Sequence, residues 1–336
     1  MKILVTGGLG FIGSHTVVAL LNKGLEVVII DNLSNSSLSV LEGIAKITNK
    51  SPEFHKIDLR DKIEVSDFFE DNQDIAGIIH FAASKAVGES VEKPLLYYEN
   101  NINTLVNVLQ ELRRKELSNF IFSSSCTVYG QADELPITEE APVKKAESPY
   151  GNTKQIGEEI IKDFAKTAPN FKAIALRYFN PIGAHPTAEI GELPIGTPQN
   201  LVPYITQTGA GIREELSVFG NDYDTNDGTC IRDYIHVMDL AEAHVVALKR
   251  LIANQHKTNY EVFNLGTGQG NSVLEVIQAF EKVSDKKLPY KIVDRREGDV
   301  VAAYANTTKA NSDLGWKARF TMEDALESAW KWQQKQ

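Results

Sequence analysis

The sequence predicts an α/β protein, a doubly wound parallel sheet with a smaller α+β domain after it, and three observations carry that expectation. Short Val- and Ile-rich runs alternate with helical patterns through the first half of the 336 residues. The first run ends in a glycine-rich turn that opens a helix. After about residue 181 the composition shifts to PIGAHPTAEIGELPIGTPQN, rich in Pro and Gly, and the elements beyond it become shorter. The expected division is 1–180 and 181–336, with an interleaved boundary.

Taken in order, KILVTG (2–7), EVVIID (26–31), FHKID (54–58), GIIHFAA (77–83), NFIFSSS (119–125) and FKAIALRYFN (171–180) read as strands. Near-continuous apolar runs of this length, joined by helical crossovers, belong to a parallel sheet covered on both faces. The crossovers fall near 11–23, 37–49, 62–72, 94–115 and 149–167. In the second part a helix is expected near 237–252, a strand at 261–265, and helices near 272–283 and 321–334. No internal repeat or low-complexity tract interrupts this order.

With 42% hydrophobic residues the chain can bury a substantial core. A formal net charge of −10 argues against a nucleic-acid or anionic-membrane partner, since either calls for a basic surface. A small anionic ligand stays open to it, because a few placed arginines suffice. Only Cys126 and Cys230 occur, so no disulfide framework and no thiolate zinc set is expected, and no metal site is read elsewhere. The first residues, MKILVTGG, already form a strand running into a glycine turn, which reads as a cytoplasmic protein.

The glycine turn, TGGLGFIG, spaces Gly7, Gly10 and Gly13 three apart, with Gly8 offering a second register. After a strand and before a helix, such a triplet permits a tight turn, close approach of backbone to a pyrophosphate, and close packing of helix on strand. Asp31 ends the second strand, 18 residues beyond Gly13, where a carboxylate accepts from an adenosine ribose 2′-hydroxyl. It would repel a 2′-phosphate, and NLSNSS supplies no arginine to neutralise one, so NAD is expected rather than NADP. Asp31 is otherwise an ordinary turn residue. Asp58, ending the third strand, suits the adenine amino group.

SPYGNTK (148–154) places Tyr150 and Lys154 one helical turn apart on one face, a candidate acid/base pair. By itself the spacing is also ordinary helix-start chemistry, with Ser148 as N-cap and Pro149 in the first turn. FSSSCTVYG ends the fifth strand, and strand alternation puts Ser123 and Ser125 on one face and Ser124 on the other. Serines there are commonly turn formers as well.

Glycine triplet, Asp after strand two, SSS…VYG after strand five and SPYGNTK, in this order, resemble the extended short-chain dehydrogenase/reductases, a Rossmann-type family. HFAASKAVGESVEKP, ALRYFNPIGAHP, QNLVPYI, FGNDYDTNDGTCIRDYIHVMDLA, FNLGTGQGNSV and RREGD narrow the resemblance to the UDP-galactose 4-epimerases, from residue 2 to about 334. The resemblance implies an NAD-dependent isomerase that interconverts UDP-galactose and UDP-glucose through a 4-ketose. It implies Tyr150 as acid/base, Lys154 as its electrostatic partner and Ser125 as a proton relay. It implies cofactor contacts at Phe11, Ile12, Asn32, Asn35, Ser36 and Leu59, and at Phe81, Ala82, Ala83, Lys85, Asn100 and Tyr178. For the UDP-sugar it implies Asn180, Asn200, Leu201, Phe219, Arg232, Tyr234, Arg296 and Asp299, with Lys85, Ser125 and Tyr150 shared. For Arg232 and Arg296 a surface salt bridge is the competing reading.

Nucleotide-sugar 4,6-dehydratases place an acid pair where this chain has Cys126 and Thr127, because elimination of water needs a general acid and base. A nucleotide-sugar reductase shares the tetrad but would have to exchange its cofactor. An NAD-sensing module without activity would be expected to have lost Tyr150 or Lys154. Ala303, four beyond Asp299, falls where some epimerases carry a bulky Tyr, so UDP-N-acetylglucosamine and its galacto epimer are expected to fit. A shift of one residue, to Tyr304, would reverse that expectation. By the same resemblance helices 94–115 and 149–167 form the interface of a homodimer, although their apolar faces could equally pack on the sheet.

Overall fold

The computed structural model describes residues 1–296 and 298–336. The chain runs β1 (Lys2–Thr6), α1 (Phe11–Asn22), β2 (Glu26–Ile30), α2 (Ser39–Thr48), β3 (Glu53–His55), α3 (Lys62–Asp71) and β4 (Ile75–His80). It continues with α4 (Val87–Glu92), α5 (Pro94–Arg114), β5 (Asn119–Ser125), a 3-10 turn (Cys126–Tyr129), α6 (Pro149–Thr167), β6 (Lys172–Tyr178) and β7 (Asn180–Ile182). Then follow α7 (Leu201–Gly209), β8 (Leu216–Phe219), β9 (Ile231–Arg232), β10 (Tyr234–His236), α8 (Val237–Ile252) and β11 (Tyr260–Leu265). The last elements are β12 (Asn271–Ser272), α9 (Val273–Ser284), β13 (Tyr290–Val293), β14 (Ala302–Ala303) and α10 (Met322–Gln333).

Seven strands form one sheet in the order β11-β6-β5-β4-β1-β2-β3, every neighbouring pair parallel. The period of two explains why both faces are covered. Ile3, Val5, Ile29 and Ile121 point into a core shared with α1 and α8, whereas Leu4, Val28, Ile30, Phe120 and Phe122 point into the opposite core with α3, α5 and α6. The strand order reverses between β1 and β4, and such a switch point opens a crevice at the carboxyl edge of the sheet. Helix α6 begins where its sequence says it should. The Ser148 side chain accepts from the Gly151 N–H at 3.1 Å, a cap that contributes about 1 kcal/mol.

The second half is not a separate block. Composition groups residues 237–265 with the smaller part, yet α8 packs beside α1 under the main sheet, and β11 supplies that sheet's seventh strand alongside β6. The chain thus returns to the first region with α8 and β11 after leaving it at β7, and then leaves again for α9 and α10. FKAIALRYFN, read as one strand, breaks after Tyr178. Phe179 still donates its N–H to Leu265, but Asn180 pairs with Tyr234 in a separate two-stranded sheet of β7 and β10. The turn takes the backbone off the large sheet and across the crevice. The smaller region has its own core of α7, α9, α10 and β8, centred on Val218, Phe280, Leu326 and Trp330.

Candidate active site

The glycine turn is held by close contacts that exclude side chains. Gly7 has φ +68, and a Cβ there would come within 2.8 Å of the Ala82 nitrogen; a Cβ on Gly13 would come within 2.2 Å of the Gly7 oxygen. Gly10 differs, since its Cβ would meet only the Gly7 oxygen, at 3.3 Å. Gly10 N-caps α1 without a side-chain bond, and the first turn carries no acid. The N–H groups of Phe11, Ile12 and Gly13 precede the first helical bond, Ser14 N–H to Gly10 O, and are open to an incoming diphosphate. This is the cradle a dinucleotide requires.

Around it the predicted cofactor residues converge. Asp31 is buried and accepts from the backbone of Leu9 (3.1 Å) and Leu33 (2.9 Å) and from Ser36 Oγ (2.8 Å), which fixes its carboxylate at the end of β2. Asn32 reaches Asp58 Oδ2 at 3.4 Å, and the Arg60 guanidinium beside Asp58 holds that carboxyl down to about 2. Leu59 is buried and Asn35 exposed. Phe81, Ala82 and Ala83 follow β4, with the Phe81 N–H bonded to Thr6 O. Asn100 donates to Ser84 Oγ at 3.2 Å. The Lys85 ammonium lies 5.9 Å from the Phe11 ring centre and 3.0 Å from Glu192.

Beyond this cradle, Tyr150, Lys154 and Ser125 are all under a tenth exposed. The Lys154 ammonium donates to Ser123 O at 2.8 Å and lies 5.8 Å from the centre of the Tyr150 ring. Burial pushes the Tyr150 phenol well up, with Tyr178 adding to the shift and Ser125 opposing it. Burial likewise lowers Lys154 to about 8, against the pull of Glu158. The environment of the unliganded site therefore favours a neutral phenol, and phenolate formation requires added positive charge at that spot. Ser125 Oγ accepts from the Thr127 N–H at 3.2 Å, so it begins the 3-10 turn as well as facing Tyr150. The serine alternation appears in the bonds: Ser123 shares a hydrogen bond with the Tyr178 hydroxyl, whereas Ser124 donates to Glu158 at 2.6 Å.

Across the crevice, β9, Arg296 and residues 298–303 form a second wall. The Asp299 carboxylate sits 3.3 Å from Arg232 and 2.9 Å from Arg296, and the Arg296 guanidinium lies 5.6 Å from the Phe219 ring centre. The salt-bridge reading of the two arginines is thus literally present, and one acid serves both. Tyr234 is buried nearby, and burial raises its phenol despite Arg232. Asn180 and Asn200 are exposed, and Leu201 opens α7 directly after Asn200. Asn200 donates to Glu192 at 2.6 Å. Ala303 pairs with Arg232 across the β9–β14 ladder and packs in the cluster of Val128, Tyr129, Phe179 and Cys126, while the Tyr304 ring lies against Gly270. The residue packed against the 3-10 turn is therefore the alanine.

Three residues at the site carried no sequence signal that singled them out. Glu158 and Arg177 form a buried pair behind Lys154, and Glu192 joins Lys85 to Asn200. Glu158 lies four residues beyond Lys154, so helical spacing extended by one turn finds it. Glu192 sits in the Pro/Gly-rich stretch, where no periodicity speaks. Among the described residues, no group of three or more His, Cys, Asp or Glu could hold a metal.

Residues 4–329 match the family model described as GDP-mannose 4,6 dehydratase. The chain is 50% identical over 335 residues to a UDP-glucose 4-epimerase of Pasteurella multocida (strain Pm70), covering 100% of this chain and 98% of that one. It is 49% identical over 333 residues to the UDP-glucose 4-epimerase of Bacillus subtilis (strain 168), covering 99% and 97%. A solved UDP-glucose 4-epimerase from Bifidobacterium longum, in complex with NAD+ and UDP, is similar at a TM-score of 0.95 and 46% identity, covering 100% and 98%. The dehydratase chemistry lacks its acids here: Cys126 is a half-buried thiol pushed up to about 12 by desolvation, and Thr127 Oγ1 is buried with no hydrogen-bond partner among the described residues. Within the wider family of that model, the chain belongs to the UDP-glucose 4-epimerases.

Proposed function

We propose that the protein interconverts UDP-galactose and UDP-glucose at its own crevice, with residues 1–180 chiefly binding NAD and residues 181–336 chiefly binding the UDP-sugar. The observation that carries this is the pairing of Tyr150, Lys154 and Ser125 on one wall with the Arg232–Asp299–Arg296–Phe219 group on the other. Bound NAD supplies the hydride acceptor, and then the donor, at C4 of the sugar. Tyr150 takes the proton of the 4-hydroxyl and later returns it. Ser125 hydrogen-bonds the same oxygen and relays that proton. Lys154, still largely an ammonium at neutral pH with its value near 8, offsets the charge left on Tyr150. Arg232 and Arg296 grip the diphosphate bidentately, and Phe219 lies against the uracil. A firm hold on the nucleotide with a loose hold on the hexose lets the 4-ketose turn over and present its other face.

The methyl of Ala303 leaves room for a 2-acetamido group, so UDP-N-acetylglucosamine and UDP-N-acetylgalactosamine are also substrates; absence of acetylated turnover beside normal turnover of the plain sugars would sink this. Helices α5 and α6, side by side on one face of the sheet, suit a homodimer, and sedimentation equilibrium should give twice the 37.2 kDa chain mass. Two unpaired thiols suit a cytoplasmic protein; fractionated cells probed for the chain locate it.

Proton NMR of the purified protein with UDP-galactose and no added cofactor tests the main reading. Formation of UDP-glucose is expected from the wild type, with Tyr150→Phe slower by about 10²–10⁴-fold. Equal rates in the two proteins would remove Tyr150 from the role.

A further inference from the structure

Lys154 is not the end of the buried charge on α6. Gly157 brings the helix so close to β5 that a Cβ there would come within 2.8 Å of the Phe122 ring. At that close approach α6 lays two charges on consecutive residues of β5: the Lys154 ammonium on Ser123 O, and the Glu158 carboxylate on Ser124 Oγ. Glu158 also accepts from Arg177 Nε (2.8 Å) and Nη2 (2.6 Å) and from the Tyr260 hydroxyl (3.0 Å), and the half-exposed Lys162 ammonium lies 4.0 Å away. Lys154, Glu158 and Arg177 are 4%, 2% and 3% exposed, so water screens none of them.

We propose that Glu158 is a positioning residue for the reaction: by neutralising Arg177 within the protein it keeps Lys154 an ammonium behind Tyr150. Four bonded donors saturate the carboxylate, so it acts on Lys154 through space along the helix. The other groups around the lysine supply no negative charge. Tyr150 and Tyr178 are raised phenols, His80 on β4 is held neutral by burial, and the Phe122 ring and Ser123 carbonyl complete the shell. Burial alone pushes the ammonium toward neutrality, and Glu158 provides the opposing pull. The Glu158 carboxyl can serve because burial, which would raise it, is outweighed by Arg177, Ser124 and Tyr260. An unpaired Arg177 in the same place would repel the lysine instead.

The inference rests on the proposed role of Lys154, and its test separates the two. In ¹⁵N-labelled protein the Lys154 Nζ shift is followed against pH for the wild type, Glu158→Gln and Arg177→Met, alongside the alkaline limb of kcat with UDP-galactose. Glu158→Gln is expected to move both midpoints down by roughly 1–3 pH units, and Arg177→Met, which removes the main support of the Glu158 charge, to move them down as well. A pair that only holds the sheet together would lower thermal stability in both variants and leave the midpoints in place, which overturns the proposal. If one variant does not fold, the direction of shift in the other decides. An Nζ shift that moves as expected in a protein without turnover upholds the electrostatic role and faults the epimerase reading.

Discussion

On one side of the crevice Tyr150, Lys154, Glu158 and Arg177 are each less than a tenth exposed, whereas on the other Phe219 is 41% exposed and Asn180 and Asn200 stand in solvent. The first wall belongs to the seven-stranded sheet and α6, fixed by a hydrogen-bond chain that runs from Glu158 through Arg177 and Tyr129 to Asn264. The second is assembled from two-residue strands and a loop, and its arginines share one acid, Asp299. Low dielectric makes charge effective where protons move and costly to rearrange. On the second wall Arg232 and Arg296 are both neutralised by Asp299, and the Arg296 side chain is 41% exposed. The first wall is built of buried, bonded groups, and the second mixes buried groups with exposed ones.

The dryness of the protein interior has a consequence for stability. Burial lowers His15 and His80 to about 3 and His236 and His244 to about 4. Each has a folded-state value below its unfolded one, so its contribution is intact above about pH 6.5 and is lost as pH falls from there toward the folded values. Each histidine should remove up to about 1.4 kcal/mol of stability per pH unit across that window. Asp233 and Asp239, raised by burial, pull the other way in the carboxylate range. Urea unfolding at pH 7.5, 6.5 and 5.5 measures the balance, and a flat profile would mean that the interior is far wetter than this comparison holds.

For the open wall the expected effect is smaller and falls on binding. Arg232→Ala should raise KM for UDP-galactose by about 10–100-fold, the scale of one or two charge-assisted hydrogen bonds, with kcat little changed. A kcat loss without a KM change would place Arg232 with the chemistry and dissolve the contrast. Smallest of all, Ala303→Tyr should reduce turnover of the N-acetylated sugars by about tenfold or more while the plain sugars change only a few-fold, since the change is steric and local. Competition between the two sugar types in one tube reads that ratio directly.

Apolar runs and the glycine turn made the first six strands of the large sheet legible, and α6 falls on its expected bounds, Pro149–Thr167, because Ser148 and Pro149 mark its start. Boundaries were less so. The strand read at 54–58 stops at His55, and the run 171–180 divides at Phe179, where the backbone changes partners. Strand β11 was visible as a strand but not as a member of the main sheet, because an apolar run does not name its neighbour. The strands β9, β12 and β14, of two residues each, are too short for any periodicity to register. At the site, motifs point to Tyr150, Lys154 and the arginines, whereas no motif marks Glu158 in its buried network or Glu192 bridging Lys85 to Asn200.

By itself the sequence determined the local chemistry: which runs are apolar on both faces, where a helix can begin, and where only glycine fits. It also set the Tyr150–Lys154 spacing, because four residues of helix fix that geometry whatever surrounds it. Tertiary structure alone decided that β11 closes the edge of β6, that Ala303 rather than Tyr304 packs against the 3-10 turn, and that Asp299 serves two arginines. It alone decided as well that burial raises the Tyr150 phenol while Glu158 sustains the charge beside it. The reason is physical: pairing partners, burial and electrostatic environment depend on atoms distant in the chain, and no local pattern encodes what will come to lie against it.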